Sequence, residues 1–299
     1  MNMGENMKIV KLQGGLGNQM FQYAFAKTVE RETGEEVKID LTSYEKLNGD
    51  MIRKPRILNF RLSLPVATKD DISQLCLFKH EGNSLTKAYS LKINVENILN
   101  RRYFFERNHS LCSPADMSKF NYFDGYWQDW AMVDSVMSEL NIDFSSIKEI
   151  SEKSKEKLEH INSVNSVFLG VRRGDYLKCV SKFGTFGQRY YAKAMEIIAE
   201  KVDNPVFFIF SDDIKWVKEN MKFPKYNTVY ITDTVDDFED YILMSNCKHS
   251  ILSNSTYQWW GARRNEYPGK IVVAPKNWFA DGTPINIVPD RWIKIENIQ

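Results

Sequence analysis

From Ser166 onward the chain repeats one pattern, a short apolar run followed by an amphipathic stretch. The apolar runs are Val167–Val171, Val206–Phe210, Thr228–Ile231, Ser250–Leu252 and Ile271–Ala274, and helical periodicity falls near 188–202, 213–221, 236–246 and 256–265. Short buried strands separated by helices pair through right-handed crossovers, so the pattern predicts a parallel sheet. In such sheets ligands bind outside the carboxyl ends of the strands. The residues just after each apolar run are therefore where chemistry is expected.

The first forty residues begin the same way. Lys8–Leu12 is an apolar run ending in Gly14-Gly15, Asn18–Thr33 has helical periodicity with Gly34 as its stop, and Val37–Asp40 reads as a second strand. This β-turn-α-β order opens a Rossmann-like half. Residues 41–118 carry Pro55, Pro65 and Pro114 and clusters such as Arg101–Phe105, and no element is assigned there. Phe120–Trp127 is aromatic and β-prone, and Trp130–Leu140 reads as a helix. The Lys/Glu-rich stretch from Ser145 to about Asn162 reads as an exposed helix at a boundary. Two domains are expected, 1–150 and 151–299.

Bulk composition excludes several classes. A chain of 299 residues, 43% hydrophobic and 26% charged, suits one large domain or two of moderate size. A net charge of +1 sets up no global field for nucleic acid or an anionic membrane, so nucleic acid is not an expected partner. Cys76, Cys112, Cys179 and Cys247 form no C-x-x-C pair, and His80, His109, His160 and His249 show no helical ligand spacing. Neither a disulfide framework nor a metal site is expected, and a cytoplasmic setting fits free thiols. No signal-peptide core and no apolar run of about 18 residues is present, which leaves peripheral contact with the inner membrane face as the open alternative.

Four motifs sit at strand ends. In Gly14-Gly15-Leu16-Gly17-Asn18-Gln19, glycines between strand and helix let backbone N–H groups approach an anionic or sugar ligand. A glycine-rich turn capped by Asn18 explains the same residues. Gly15, Gly17 and Asp40 also match part of a dinucleotide fingerprint, although Met20 stands at its third glycine position. In Val171-Arg172-Arg173-Gly174-Asp175-Tyr176, two arginines at a core strand's end need an anionic partner. A diphosphate suits the guanidinium fork, and an ion pair with Asp175 is the structural alternative. Ser255 and Thr256 open a helix and suit a phosphate, while plain N-capping accounts for them too. Asp240 either favours a helix dipole or accepts paired N–H bonds from a guanine edge. Asp212 and Asp213, after Phe210-Ser211, read as helix caps, and Trp259-Trp260 as core packing. No D-x-D triplet occurs, so arginines and helix N-termini would have to neutralise a leaving diphosphate without a metal.

Together these motifs resemble the bacterial α-1,2-fucosyltransferases of glycosyltransferase family 11: GGLGNQMFQYAFA at 14–26, VRRGDY at 171–176, FSDD at 210–213 and DYILMSNCKHSILSNSTYQWWGA at 240–262. The resemblance runs from about residue 8 to the end and is weakest between 45 and 118. It implies an α/β GT-B-like fold of two Rossmann-like domains with the donor site in the cleft, the acceptor on the N-terminal side and GDP-fucose on the C-terminal side. It implies inverting transfer of L-fucose from GDP-β-L-fucose to the 2-hydroxyl of a terminal galactose in an oligosaccharide, with no metal or other cofactor. By the same resemblance Arg172 is the catalytic arginine on the β-phosphate, supported by Arg173, with Ser255 and Thr256 as further phosphate contacts. Asp240 stands where related enzymes read guanine, and Gly15, Gly17 and Asn18 where the glycine loop reaches the donor. One departure is clear. The family carries His two residues before the first arginine, and this chain has Gly170, which leaves the base contact to Asp240 and backbone groups. No general base is assigned. Three other readings stay open: fucosylation of another acceptor, an NAD(P)-dependent oxidoreductase resting on Gly15, Gly17 and Asp40, and a non-catalytic nucleotide-sugar binder.

Overall fold

Every named strand pairs in parallel, and the strands form two separate sheets. The computed structural model describes residues 7–45, 54–78, 87–110 and 112–297. The chain divides into two compact units, Met1–Lys148 and Glu149–Gln299.

The first unit holds β1 (Met7–Lys11), β2 (Glu36–Asp40), β3 (Tyr103–Phe105) and β4 (Tyr122–Asp124), in the order β2-β1-β4-β3. All five residues of β1 are buried. The helix Leu16–Thr33 buries Met20, Phe21, Tyr23, Ala24 and Phe25 completely. It stops at Gly34, whose φ of 67° places its N–H 2.8 Å from the Glu30 carbonyl. The expected helix start moves from Asn18 back to Leu16, with Gly15 as the cap. Asn18 therefore lies inside the first turn and caps nothing. The stretch expected as one helix over Trp130–Leu140 forms two, Trp130–Ser135 and Met137–Asp143, because Val136 leaves helical geometry at ψ 17°. In the unassigned 41–118 region the structure places helices at Lys69–Leu75 and Lys87–Leu99 and the edge strand β3. A three-residue strand is too short for periodicity to declare.

The second unit holds β5 (Asn165–Val171), β6 (Pro205–Ser211), β7 (Asn227–Tyr230), β8 (His249–Ile251), β9 (Val272–Pro275) and β10 (Ile293–Ile295). Five of these coincide with the apolar runs, and β10 was not anticipated. Helices at Gln188–Ala199, Ile214–Asn220, Asp237–Asn246 and Thr256–Arg264 fill the amphipathic stretches. The Lys/Glu-rich segment is helical only from Glu152 to Ser163. Tyr190, Tyr191, Ala194, Met195 and Ile198 pack with Val167, Leu169, Phe207 and Ile209 as one core.

The six-stranded order is β10-β9-β8-β5-β6-β7. The chain leaves β5 toward β6 and β7, then returns to build β8, β9 and β10 on the other side. The order thus reverses between β5 and β8, and the crevice at such a switch point is where open α/β sheets bind ligands. In the first unit the same reversal lies between β1 and β4. Among the described residues no helix is long and apolar enough to cross a membrane.

Candidate functional site

Arg172 and Arg173 leave β5 at its carboxyl end, on one side of the switch point. The Arg172 guanidinium meets Asp175 Oδ1 at 2.6 Å and Asp212 Oδ2 at 3.1 Å. Burial works against its charge, but Asp212 and Asp175 outweigh that and raise its pKa. Arg173 lies over the Trp216 ring at 3.8 Å and sits 3.4 Å from Asp213 Oδ2. Its Nε is buried and makes no hydrogen bond. Asp212 also accepts from the Arg173 backbone N–H at 2.9 Å, so it is an arginine holder. Only Asp213 acts as the expected cap, accepting from Trp216 N at 3.3 Å. The ion pair anticipated between Arg172 and Asp175 exists, and it orients the arginine at the ligand end of the sheet.

Ser253, Asn254 and Ser255 leave β8 on the other side of the switch point. Asn254 Nδ2 donates to the carbonyls of Phe183 and Trp278 at 2.6 and 2.9 Å, and the Asn254 backbone carbonyl accepts from Tyr176 Oη at 2.9 Å. Tyr176 thereby ties the turn after β5 to the turn after β8. Ser255 occupies the N-cap position of the helix Thr256–Arg264, yet its side chain makes no capping hydrogen bond. The capping account of this serine therefore fails, and its hydroxyl remains available beside the first N–H groups of the helix. Thr256 is the first helical residue. Trp259 and Trp260 are fully buried core residues, as expected.

Asp240 belongs to the helix Asp237–Asn246, which packs against the helix Thr256–Arg264. Tyr257 donates to the Asp237 carbonyl and lies within the field of Asp240. Asp240 is not the cap of its helix, because Asp236 accepts from Phe238 N and Glu239 N. Its Oδ1 is buried without a hydrogen-bond partner. Burial, opposed by a hydrogen bond from Thr234 and reinforced by Asp237, Glu239 and Asp236, pushes its pKa up to about 6. A buried carboxylate oxygen without a donor is costly unless a ligand supplies one.

Gly15, Gly17 and Asn18 lie in the first unit, at the carboxyl end of β1. Of the three motif glycines there, only Gly14 has positive φ, at 81°. A side chain at Gly14 would begin 2.8 Å from Asn18 Nδ2. Gly15 caps the helix in extended geometry, and Gly17 lies within it. Asn18 Oδ1 accepts from Gln128 Nε2 at 3.0 Å, joining the turns after β1 and β4. Asp40 is fully buried, accepting from Tyr122 at 2.5 Å and from Thr42 N at 2.7 Å. It is not placed to hold a ribose, which removes the acidic partner on which the dinucleotide reading rested.

Three candidate site residues gave no sign in the sequence of the contacts they make. Asp212 looked like a cap, Tyr176 like motif filling, and Gln258 like an ordinary helix residue. The signal for Asp212 was its place at a strand end. Gln258 becomes visible only in three dimensions, because it lies against Gly170.

The sequence profile described as glycosyl transferase family 11 matches residues 7–296. The alpha-1,2-colitosyltransferase of Escherichia coli is 32% identical over 96% of this chain and 98% of its own length. The O-antigen biosynthesis glycosyltransferase WbnK of Escherichia coli is 31% identical, covering 95% of this chain and 99% of its own. Among solved structures, the fucosyltransferase NodZ from Bradyrhizobium aligns with 86% of this chain and 91% of its own at 12% identity, with a TM-score of 0.46. A profile match over nearly the whole chain, with parallel α/β units and motifs at the strand ends, leaves one conclusion: the chain belongs to glycosyltransferase family 11.

Proposed function

We infer that this glycosyltransferase moves L-fucose from GDP-β-L-fucose to the 2-hydroxyl of a terminal galactose, inverting the anomeric carbon. The observation that carries the reading is the switch point itself. A guanidinium held by Asp175 and Asp212 follows β5, and an uncapped serine at a helix N-terminus follows β8. That pairing suits the negative charge of a leaving diphosphate. Asp240, with one buried oxygen lacking a donor, suits the paired N–H groups of guanine. The second unit therefore takes the donor role and the first the acceptor role, and Gly15, Gly17 and Asn18 at the carboxyl end of β1 are candidate ligand contacts of the first unit. Arg173 and Thr256 support the phosphate contacts.

The reaction is a single displacement. The acceptor oxygen bonds to the fucosyl anomeric carbon as its bond to the β-phosphate oxygen breaks, and GDP leaves with the electron pair. Charge grows on that phosphate, and Arg172 with the helix N-terminus stabilises it, which is preorganised electrostatic catalysis. The acceptor hydroxyl releases its proton to solvent as the new bond forms. The chemistry calls for no metal, and a cytoplasmic setting, peripheral to the membrane, fits a nucleotide-sugar donor.

One observation favours a second reading. The Escherichia coli relative is named for colitosyl transfer in the same α-1,2 linkage, while the 24% identical galactoside 2-alpha-L-fucosyltransferase Sec1 of Mus musculus is named for fucose. The deciding experiment measures GDP release from GDP-fucose in the presence of chelator, with and without lactose or N-acetyllactosamine, followed by linkage analysis. Acceptor-dependent release with a Fuc-α-1,2-Gal product is expected. GDP binding without release moves the assignment to a colitosyl donor or another acceptor, and no GDP binding ends the reading.

A further inference from the structure

The switch point contains a side chain that neither motif resemblance nor the mechanism above uses. Gly170 is the penultimate residue of β5, and the carboxamide of Gln258 lies against it. A Cβ built on Gly170 would stand 2.2 Å from Gln258 Cδ, 2.4 Å from its Oε1 and 2.6 Å from its Nε2. No real side chain tolerates such contacts, so residue 170 must lack one for the amide to be there. Gln258 reaches this place from the first turn of the helix Thr256–Arg264, and its residue is only 5% exposed.

The orientation of the amide is set by chemistry. Oε1 accepts from the Ser253 backbone N–H at 2.8 Å and from the Ser253 hydroxyl at 2.9 Å. A backbone N–H can only donate, so the oxygen must face Ser253 and the NH₂ must face away. Among the described residues Nε2 has no hydrogen-bond partner. The Gln258 amide thus fills the space that a side chain at residue 170 would take, near the end of β5.

We propose that Gln258 is a donor-binding residue that stands in space for the side chain missing at Gly170. Its Oε1 locks the Ser253 turn that leads into Ser255, and its Nε2–H donates to the nucleoside diphosphate beside Arg172. This rests on the donor reading above and deepens it by adding a polar contact to the donor. Gly170 and Gln258 form one interlocked unit, in which a side chain at 170 would displace the amide from Ser253.

A double-mutant cycle on the full chain tests this, with GDP affinity read by calorimetry and folding by thermal midpoint. Gln258→Met keeps the length and removes both polar functions, and a loss of about tenfold in GDP affinity is expected. Gly170→Ala expels the amide and is expected to lose a similar factor. Gly170→Ala combined with Gln258→Ala should bind GDP no more weakly than Gln258→Ala alone, and should recover any midpoint that Gly170→Ala lost. A folded Gln258→Met variant within twofold of wild type, or losses from Gly170→Ala and Gln258→Ala that simply multiply, overturns the inference while wild-type GDP binding leaves the donor reading intact. A wild-type chain that binds no GDP overturns both.

Discussion

Arg172 is held before any ligand arrives. Asp175 and Asp212 fix its guanidinium from two directions, so little reorganisation is left for the moment when charge builds on a leaving phosphate. Arg172→Ala is expected to lower kcat by about a hundred- to a thousandfold, about 3–4 kcal/mol. A loss of less than tenfold in GDP-release kinetics would remove it from the mechanism. Asp240 makes a prediction of its own. Its pKa is raised to about 6, chiefly by burial, and only the carboxylate can accept two N–H bonds from guanine. If Asp240 reads guanine, the proton must be gone before GDP binds, so affinity is lost as pH falls. GDP affinity should be level above about pH 7 and fall toward about tenfold per unit well below pH 6. For folding the sign is opposite, because a raised carboxyl favours the folded state at acid pH and that advantage disappears as pH rises through about 6. Asp240→Asn should weaken GDP and flatten the pH profile, and an unchanged profile in titration calorimetry counts against the guanine role.

The helix beginning at Thr256 separates two jobs that serine can do at an N-cap. A capping serine replaced by alanine ordinarily costs about 1 kcal/mol of stability. Ser255 makes no capping bond, so Ser255→Ala should leave the thermal midpoint nearly unchanged while GDP binds several-fold more weakly. A fall in midpoint with GDP affinity intact would instead show a structural serine. Glu239 shows the contrasting case on the neighbouring helix. It is 2% exposed and accepts from Ser151 N and Val235 N and from the Ser151 and Ser154 hydroxyls. Burial works against its charge, but the backbone bonds from Val235 and Ser151, followed by those from the two serine hydroxyls, hold its pKa down at about 2. It fastens the first turn of the helix Glu152–Ser163 to this sheet unit. At this scale much was legible beforehand: β5, β6, β7, β8 and β9 are apolar runs between helical periods, and their ends carry the arginines and serines. Of the two accounts of Asn18, capping fails because the helix starts at Leu16, and glycine-rich turns leave a helix start ambiguous by a residue or two. The edge strands β3 and β10 were missed because three residues show no period.

At the scale of the whole molecule, two parallel sheets fold within separate compact units. If the donor belongs to the unit Glu149–Gln299, GDP at a hundredfold excess over its Kd should add about 2.7 kcal/mol to that unit, a shift of about 5–10 °C in scanning calorimetry. No shift at saturating GDP contradicts a donor site in the six-stranded unit. What the amino-acid order determined alone was local: strand and helix periods, the parallel class they impose, and the charged or hydroxylated residues at strand ends. Those follow from backbone geometry and side-chain alternation, which act over a few neighbours. The strand order β10-β9-β8-β5-β6-β7 was left to the tertiary structure. It alone brings the end of β5 beside the end of β8, so that Arg172 and Ser255 share one switch point. It alone seats the Gln258 carboxamide on Gly170, because contact between residues far apart in the chain depends on which strands become neighbours.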